Sequence, residues 1–131
     1  MTQRTDSPST RPGLPWLVIV GLSSLALLWP LTNLLGVPSG APRALTLVVI
    51  IAACWIGVVA FARIPNPVAV LALVGVGHGV ITLVVSAIFG EPGRPLWTYV
   101  FALGMDAVWG AIAGLIALGV QAALRRTGAS R

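Results

Sequence analysis

Charge is what this sequence has least of. Only three acids (Asp6, Glu91 and Asp106) and eight bases occur in 131 residues, and every base is an arginine. At 8% charged residues, against roughly a quarter in an average soluble domain, the chain lacks the side chains that a water-facing surface requires. A soluble fold is excluded on that ground. Cysteine is almost missing as well: Cys54 stands alone inside an apolar run, which excludes an intrachain disulfide and a cysteine-based metal site and leaves a small core residue as the expected role. Histidine occurs once, at position 78, so bis-imidazole haem ligation within one chain is excluded. The net charge of +5 comes from arginines scattered over tails and connectors, with no basic groove and no interleaved aromatics, so no nucleic-acid partner is expected. HExxH, GxSxG, P-loop and GxGxxG patterns are absent. No catalytic residue, metal or cofactor is therefore assigned, and enzyme activity is not expected.

Apolar residues fill the space that charge leaves. They make up 57% of the chain and fall into four runs, at about 16–35, 44–62, 68–89 and 96–124. Each run exceeds the ~18 residues needed to cross a bilayer as a helix and is too long for a buried strand. Nine of the ten prolines lie outside these runs, where they end helices instead of breaking them. The expected fold is all-α: an integral membrane protein built as a four-transmembrane-helix, antiparallel, up-down bundle with no soluble domain. A disordered tail at 1–14 precedes one transmembrane domain at 15–125, and a short tail follows at 126–131. An alternative parsing makes the first run a cleaved leader ending near Ser39-Gly40-Ala41. It fits less well, because such segments use an apolar stretch of roughly 7 to 15 residues.

Connectors of five to seven residues make consecutive helices antiparallel and bring both termini to one side. On that side lie Arg4, Arg11, Arg63, Arg125, Arg126 and Arg131, against Arg43 and Arg94 on the other, so the positive-inside bias predicts cytoplasmic termini. Trp16 at the inner boundary, and Trp97 with Tyr99 at the outer one, occupy aromatic-belt depths. The arginine-only, Ala/Val/Leu/Gly-heavy usage fits a high-GC bacterial genome, and hence a bacterial inner membrane.

Asp106 is the only charged residue inside an apolar run. It lies ten residues into the fourth run, and His78 lies ten residues into the oppositely directed third, so both fall near the bilayer midplane and a direct or water-bridged contact is geometrically natural. At 100° per residue, Tyr99, Asp106, Gly110, Ala113, Gly114, Ala117 and Gln121 share an arc of about 100° on the fourth helix. Gly75, His78, Gly79, Thr82 and Ser86 make a similar stripe on the third. Gly75/Gly79 and Gly110/Gly114 are small-xxx-small pairs that permit close helix approach, and Ala53/Gly57 is a weaker pair on the second helix.

Two readings of the Asp106/His78 pair stand side by side: a hydrogen-bonded clamp between helices, or a proton or cation site of the kind for which intramembrane carboxylates are retained. Trp29-Pro30, with Thr32 and Asn33 near the outer end of the first helix, marks either a bend satisfied by neighbouring helices, the favoured reading, or a kink that opens backbone carbonyls to a cavity. Trp55 and Trp109, near the midplane, either fill space beside Gly57 and Gly110 or line a pocket. Glu91 and Arg94 form a solvated outer turn. Size and helix number invite comparison with the small multidrug exporters and the fluoride channels, but the first run carries no acid and the third, GVGHGVITLVVSAIF, departs from the channel motif. No family resemblance holds. The sequence points first to a non-enzymatic structural or accessory membrane protein, a homo-oligomer or the companion of a larger membrane partner. The alternative is a small proton-coupled transporter or channel built on Asp106 and His78.

Overall fold

The computed structural model describes residues 13–89, 93 and 95–129. The expectations for residues 1–12, for Glu91 and Arg94 and for residues 130 and 131 lie outside them. The described chain is helical throughout: α1 (Trp16–Ser23), a 3-10 turn (Ser24–Leu27), α2 (Leu28–Leu34), α3 (Ala41–Phe61), α4 (Pro67–Phe89) and α5 (Leu96–Ala129). The first three pieces form one span, Trp16–Leu34, so four helical spans are long and apolar enough to cross a membrane. At most 33% of the most apolar stretch of any span is buried within the protein. Leu17 (91% exposed), Leu34 (84%) and Leu96 (82%) are typical of side chains that only lipid could cover. This is a small membrane protein of four antiparallel helical spans.

Local chemistry explains where the helices start and stop. The first span ends in a Schellman motif: Gly36 adopts φ +71°, its N–H donates to the Asn33 carbonyl, and the Val37 N–H donates to that of Thr32. The same motif closes α3 around Arg63 (φ +51°), with the Arg63 and Ile64 N–H groups donating to the Ala60 and Val59 carbonyls. Helix α3 begins at Ala41 and not at position 44, because Pro42, with φ preset and no N–H to waste, suits a first helical turn. Helix α5 runs on to Ala129, so residues 126–129 are helix and not tail. At ~1.5 Å per residue its 34 residues span about 51 Å, well beyond a hydrocarbon core of about 30 Å.

The bend in the first span lies upstream of Pro30, at the 3-10 turn. Proline has no N–H for the carbonyl four residues back, which is that of Ala26, and its ring crowds the same group, so the preceding turn tightens. Thr32 Oγ1 donates to the Trp29 carbonyl (2.9 Å), and Asn33 Oδ1 accepts from Arg43, which also donates to the Val37 carbonyl (3.1 Å). Those polar groups are consumed in bracing the connector between the first span and α3.

Helices α4 and α5 share the largest interface, α1 packs on α4, and α3 packs on α5. Although only five residues join α3 to α4, these two barely meet, so the order around the bundle is first, third, fourth, second span. The α4–α5 crossing is antiparallel and backbone-close. A Cβ added at Gly75 would run into the Asp106 carbonyl, one at Gly110 into the Leu71 carbonyl, and one at Gly114 would approach the Pro67 oxygen to 2.9 Å. On the opposite face of α4, Gly77 makes room for Ser23 of α1, whose hydroxyl donates to the Val74 carbonyl (3.1 Å). Glycines on two faces thus make α4 the central helix. Ala53 and Gly57 are not a packing pair: Ala53 is exposed, and a Cβ at Gly57 would meet nothing within 4 Å, because α3 turns the Leu47–Ile51–Trp55–Val59 face inward. Cys54, one step off that face, is exposed and not a core residue.

The best-buried side chains, Val59, Val70, Leu71 and Val74, gather α3, α4 and the Ala113–Ala117 stretch of α5 into one core with Ile19 and Leu22. Helix α2 contributes no buried residue. Packing is therefore tight toward the connector between α3 and α4 and loose toward α2, and that asymmetry leaves space in the bundle.

Candidate solute-binding cavity

A cavity of about 480 Å³ lies between α2, α3, α4 and α5. Its wall is apolar except in one region, where Asp106, His78 and Thr82 meet, and three indoles, Trp29, Trp55 and Trp109, border it. Each is there for a local reason. The tightened first span brings Trp29 to the cavity. Trp55, 6% exposed, is anchored by its Nε1–H, which donates to the Leu22 carbonyl (3.1 Å) where α1 gives way to the 3-10 turn. Its ring stands edge-on to the His78 imidazole, with centroids 5.5 Å apart and planes at 83°. Trp109, 60% exposed, stands at the mouth with Ile112 and Ile116 of α5, opposite Val48 of α3. With these four side chains exposed, the cavity reaches the surface of the bundle.

His78 and Asp106 both line this cavity, but they do not form a hydrogen-bonded pair. The glycine register explains the offset. Gly75 faces the Asp106 backbone and Gly79 faces the Asp106 side chain, so a Cβ on Gly79 would come within 2.8 Å of Asp106 Oδ2. The carboxylate consequently lies over the glycine beside His78, and His78 Nδ1 is enclosed with no hydrogen-bond partner among the described residues. Thr82 turns its hydroxyl to the His78 carbonyl (3.0 Å), which ties up its proton within the helix.

The remaining stripe residues separate from this cluster. Tyr99 and Ser86 are half-buried and do not line the cavity. Gln121, 5% exposed, lies toward the opposite end of the bundle, where its Nε2 donates to the Val59 (3.0 Å) and Ile64 (3.2 Å) carbonyls. It is a brace between α5 and the Schellman turn that ends α3, and takes no part in the Asp106 site. Gly75, Gly79, Gly110 and Gly114 are contact points of the α4–α5 crossing. Sequence reasoning missed three elements: Trp29 as a cavity wall, the Ser23–Gly77 contact, and the anchoring of Trp55. The GVGHG segment carried a signal for the second, because Gly77 lies about 200° around the helix from Gly75 and therefore serves a different neighbour.

Chemically, the cavity combines one carboxylate, one imidazole and three aromatic faces in an otherwise apolar wall. Every arginine that the structure describes (Arg43, Arg63, Arg125 and Arg126) lies at a helix end or connector, so among the described residues no arginine lines the cavity beside Asp106. In comparisons with known proteins, no family model, no curated protein and no solved structure matches this chain.

Proposed function

We propose that this chain is a small, non-enzymatic membrane carrier whose central cavity holds a solute, with Asp106 and His78 exchanging protons as the solute comes and goes. The observation that carries the reading is the unpaired carboxylate in a cavity of about 480 Å³. A carboxylate near the bilayer midplane costs about 2.5 to 3.5 kcal/mol to insert, and no hydrogen bond from another described residue offsets that cost here. A residue held at such cost serves something other than folding. The protein would work in a bacterial inner membrane with both termini cytoplasmic. An accessory role is favoured by a different observation, the broad exposed apolar surfaces of α3 and α5, against which a second copy or a larger membrane partner could pack.

Stability of wild type, Asp106→Asn, His78→Ala and the double variant in detergent, across a pH series, separates the readings without knowledge of a substrate. The carrier reading expects Asp106→Asn to be neutral or stabilising. A clamp expects a loss toward about 3 to 5 kcal/mol for either single change, with the double variant no worse, and that result would overturn the proposal.

A further inference from the structure

We infer that the occupant of the cavity is a lipophilic organic monocation, such as a quaternary ammonium or phosphonium bearing aromatic or branched apolar groups. This inference rests on the carrier reading above and names its substrate class. The sign of the ligand follows from the charge inventory. From α4 the one titratable group facing Asp106 is His78, and from α2 and α3 the facing cavity residues are Trp29, Val48, Ile51 and their apolar neighbours, none of them titratable. An anion would meet a carboxylate and, among the described lining residues, only the His78 imidazole as a base to set against it, which at best cancels that charge. A neutral ligand would leave that carboxylate unmatched. A monocation pairs with it at one point and presents the rest of its surface to indoles and aliphatic side chains.

The donor set does not suit a hard divalent cation. Calcium takes six to eight oxygen ligands and magnesium an octahedron of them, whereas the side chains of this cavity supply one carboxylate, one imidazole and one hydroxyl, and the hydroxyl is already committed to the His78 carbonyl. Diffuse charge on a large apolar ion needs no such shell. It is stabilised by the faces of aromatic rings, tryptophan being the best of them, and Trp29, Trp55 and Trp109 border the carboxylate region. The volume lies within the roughly 300 to 1,000 Å³ of drug-sized ligand sites. The exposed lining residues Val48, Trp109, Ile112 and Ile116 put the cavity within reach of a molecule that arrives from the lipid phase, where lipophilic cations concentrate.

Proton exchange follows from stoichiometry. Asp106 can be neutralised by a proton or by the cation, not by both, so a cation that binds the protonated site displaces one proton to His78 or to bulk water. No bond other than O–H is broken.

The test uses a pair of ions with matched shape and opposite charge, tetraphenylphosphonium and tetraphenylborate, titrated against the full chain in detergent while tryptophan fluorescence is followed. The phosphonium is expected to quench saturably and to weaken by about tenfold per pH unit on the acid side, as competition with one proton requires. Tetraphenylborate is expected not to saturate. Asp106→Asn should weaken phosphonium binding at least about tenfold and flatten its pH dependence, and Trp109→Ala, at the exposed mouth, should weaken it about fivefold without affecting folding. If tetraphenylborate binds saturably with comparable affinity, and its binding still varies with pH, the substrate class is overturned while the carrier reading stands. If phosphonium binding is unchanged in Asp106→Asn, or no saturable binding occurs, the inference is overturned, and the stability series decides the carrier reading independently.

Discussion

Replacing Gly110 by alanine adds one methyl group to the crossing that holds this bundle together, and the geometry sets the cost. The new Cβ would run into the Leu71 carbonyl oxygen and lie 2.9 Å from the carbonyl carbon and 3.2 Å from the Ala72 Cα. All three atoms are backbone, so no rotamer change relieves them. Ordinary carbon–carbon contact is about 3.5 to 4.0 Å, so α4 and α5 must separate locally by about 0.6 to 1.1 Å. A gap of that size forfeits roughly a quarter to a half of each dispersion contact it opens. Overpacking of this kind costs about 1 to 3 kcal/mol, and rigid backbone on both sides puts Gly110→Ala at the upper end. The gain in helix propensity from Gly to Ala, up to about 1 kcal/mol, leaves a net loss near 2 kcal/mol. Gly104→Ala is the internal control: same helix, same chemical change, and nothing within 4 Å of the added Cβ. It should be neutral or gain up to about 1 kcal/mol. Equilibrium unfolding in mixed micelles reads both variants, with a separation of about 3 kcal/mol expected between them. Equal stability for the pair would refute the close crossing and the helix register built on it.

Gln121→Leu should lose about 1 to 2 kcal/mol in the same assay, because the Ile64 and Val59 carbonyls lose their shared donor in a buried setting, whereas an unchanged midpoint would show that α5 does not brace the α3 turn. Ser23→Ala should cost only about 0.6 kcal/mol, the typical worth of an interhelical hydrogen bond in a membrane, and Gly77→Ala more, since its Cβ would strike the Ser23 hydroxyl. In the double variant the hydroxyl is gone, so the two losses should fall short of additivity; strictly additive values would place Ser23 and Gly77 out of contact.

The identity of the interface helices has a functional corollary. The bundle is tight where α4 meets α5 and loose toward α2, so Asp106 is carried on the largest helix interface in the molecule while one wall of its cavity belongs to a helix with no buried residue. The proposed carrier would need both, a held charge and a boundary that can yield.

By itself the sequence determined the class of molecule and the parts list. Length and hydropathy of the four runs mark out helices that only a bilayer can cover, because an unpaired backbone in hydrocarbon is prohibitive and a helix satisfies its own. Helical periodicity placed Gly110, Ala113, Gly114, Ala117 and Gln121 on one face, and all five are buried. It also put His78 and Asp106 at one depth. The tertiary structure decided what short-range rules do not reach. Five connecting residues dictate that α3 and α4 run antiparallel, but not that they touch, and it is the glycine faces of α4 that give its two sides to α1 and α5. The register of that crossing then sets Asp106 beside Gly79, with no hydrogen bond to His78, and the inward turn of the Trp55 face leaves Ala53 exposed and Gly57 with nothing against it. Gln121, on the same stripe as Asp106, found backbone carbonyls at the end of another helix instead of the cavity. Face and depth follow from periodicity along one helix; partner and register follow only from which backbones can approach most closely.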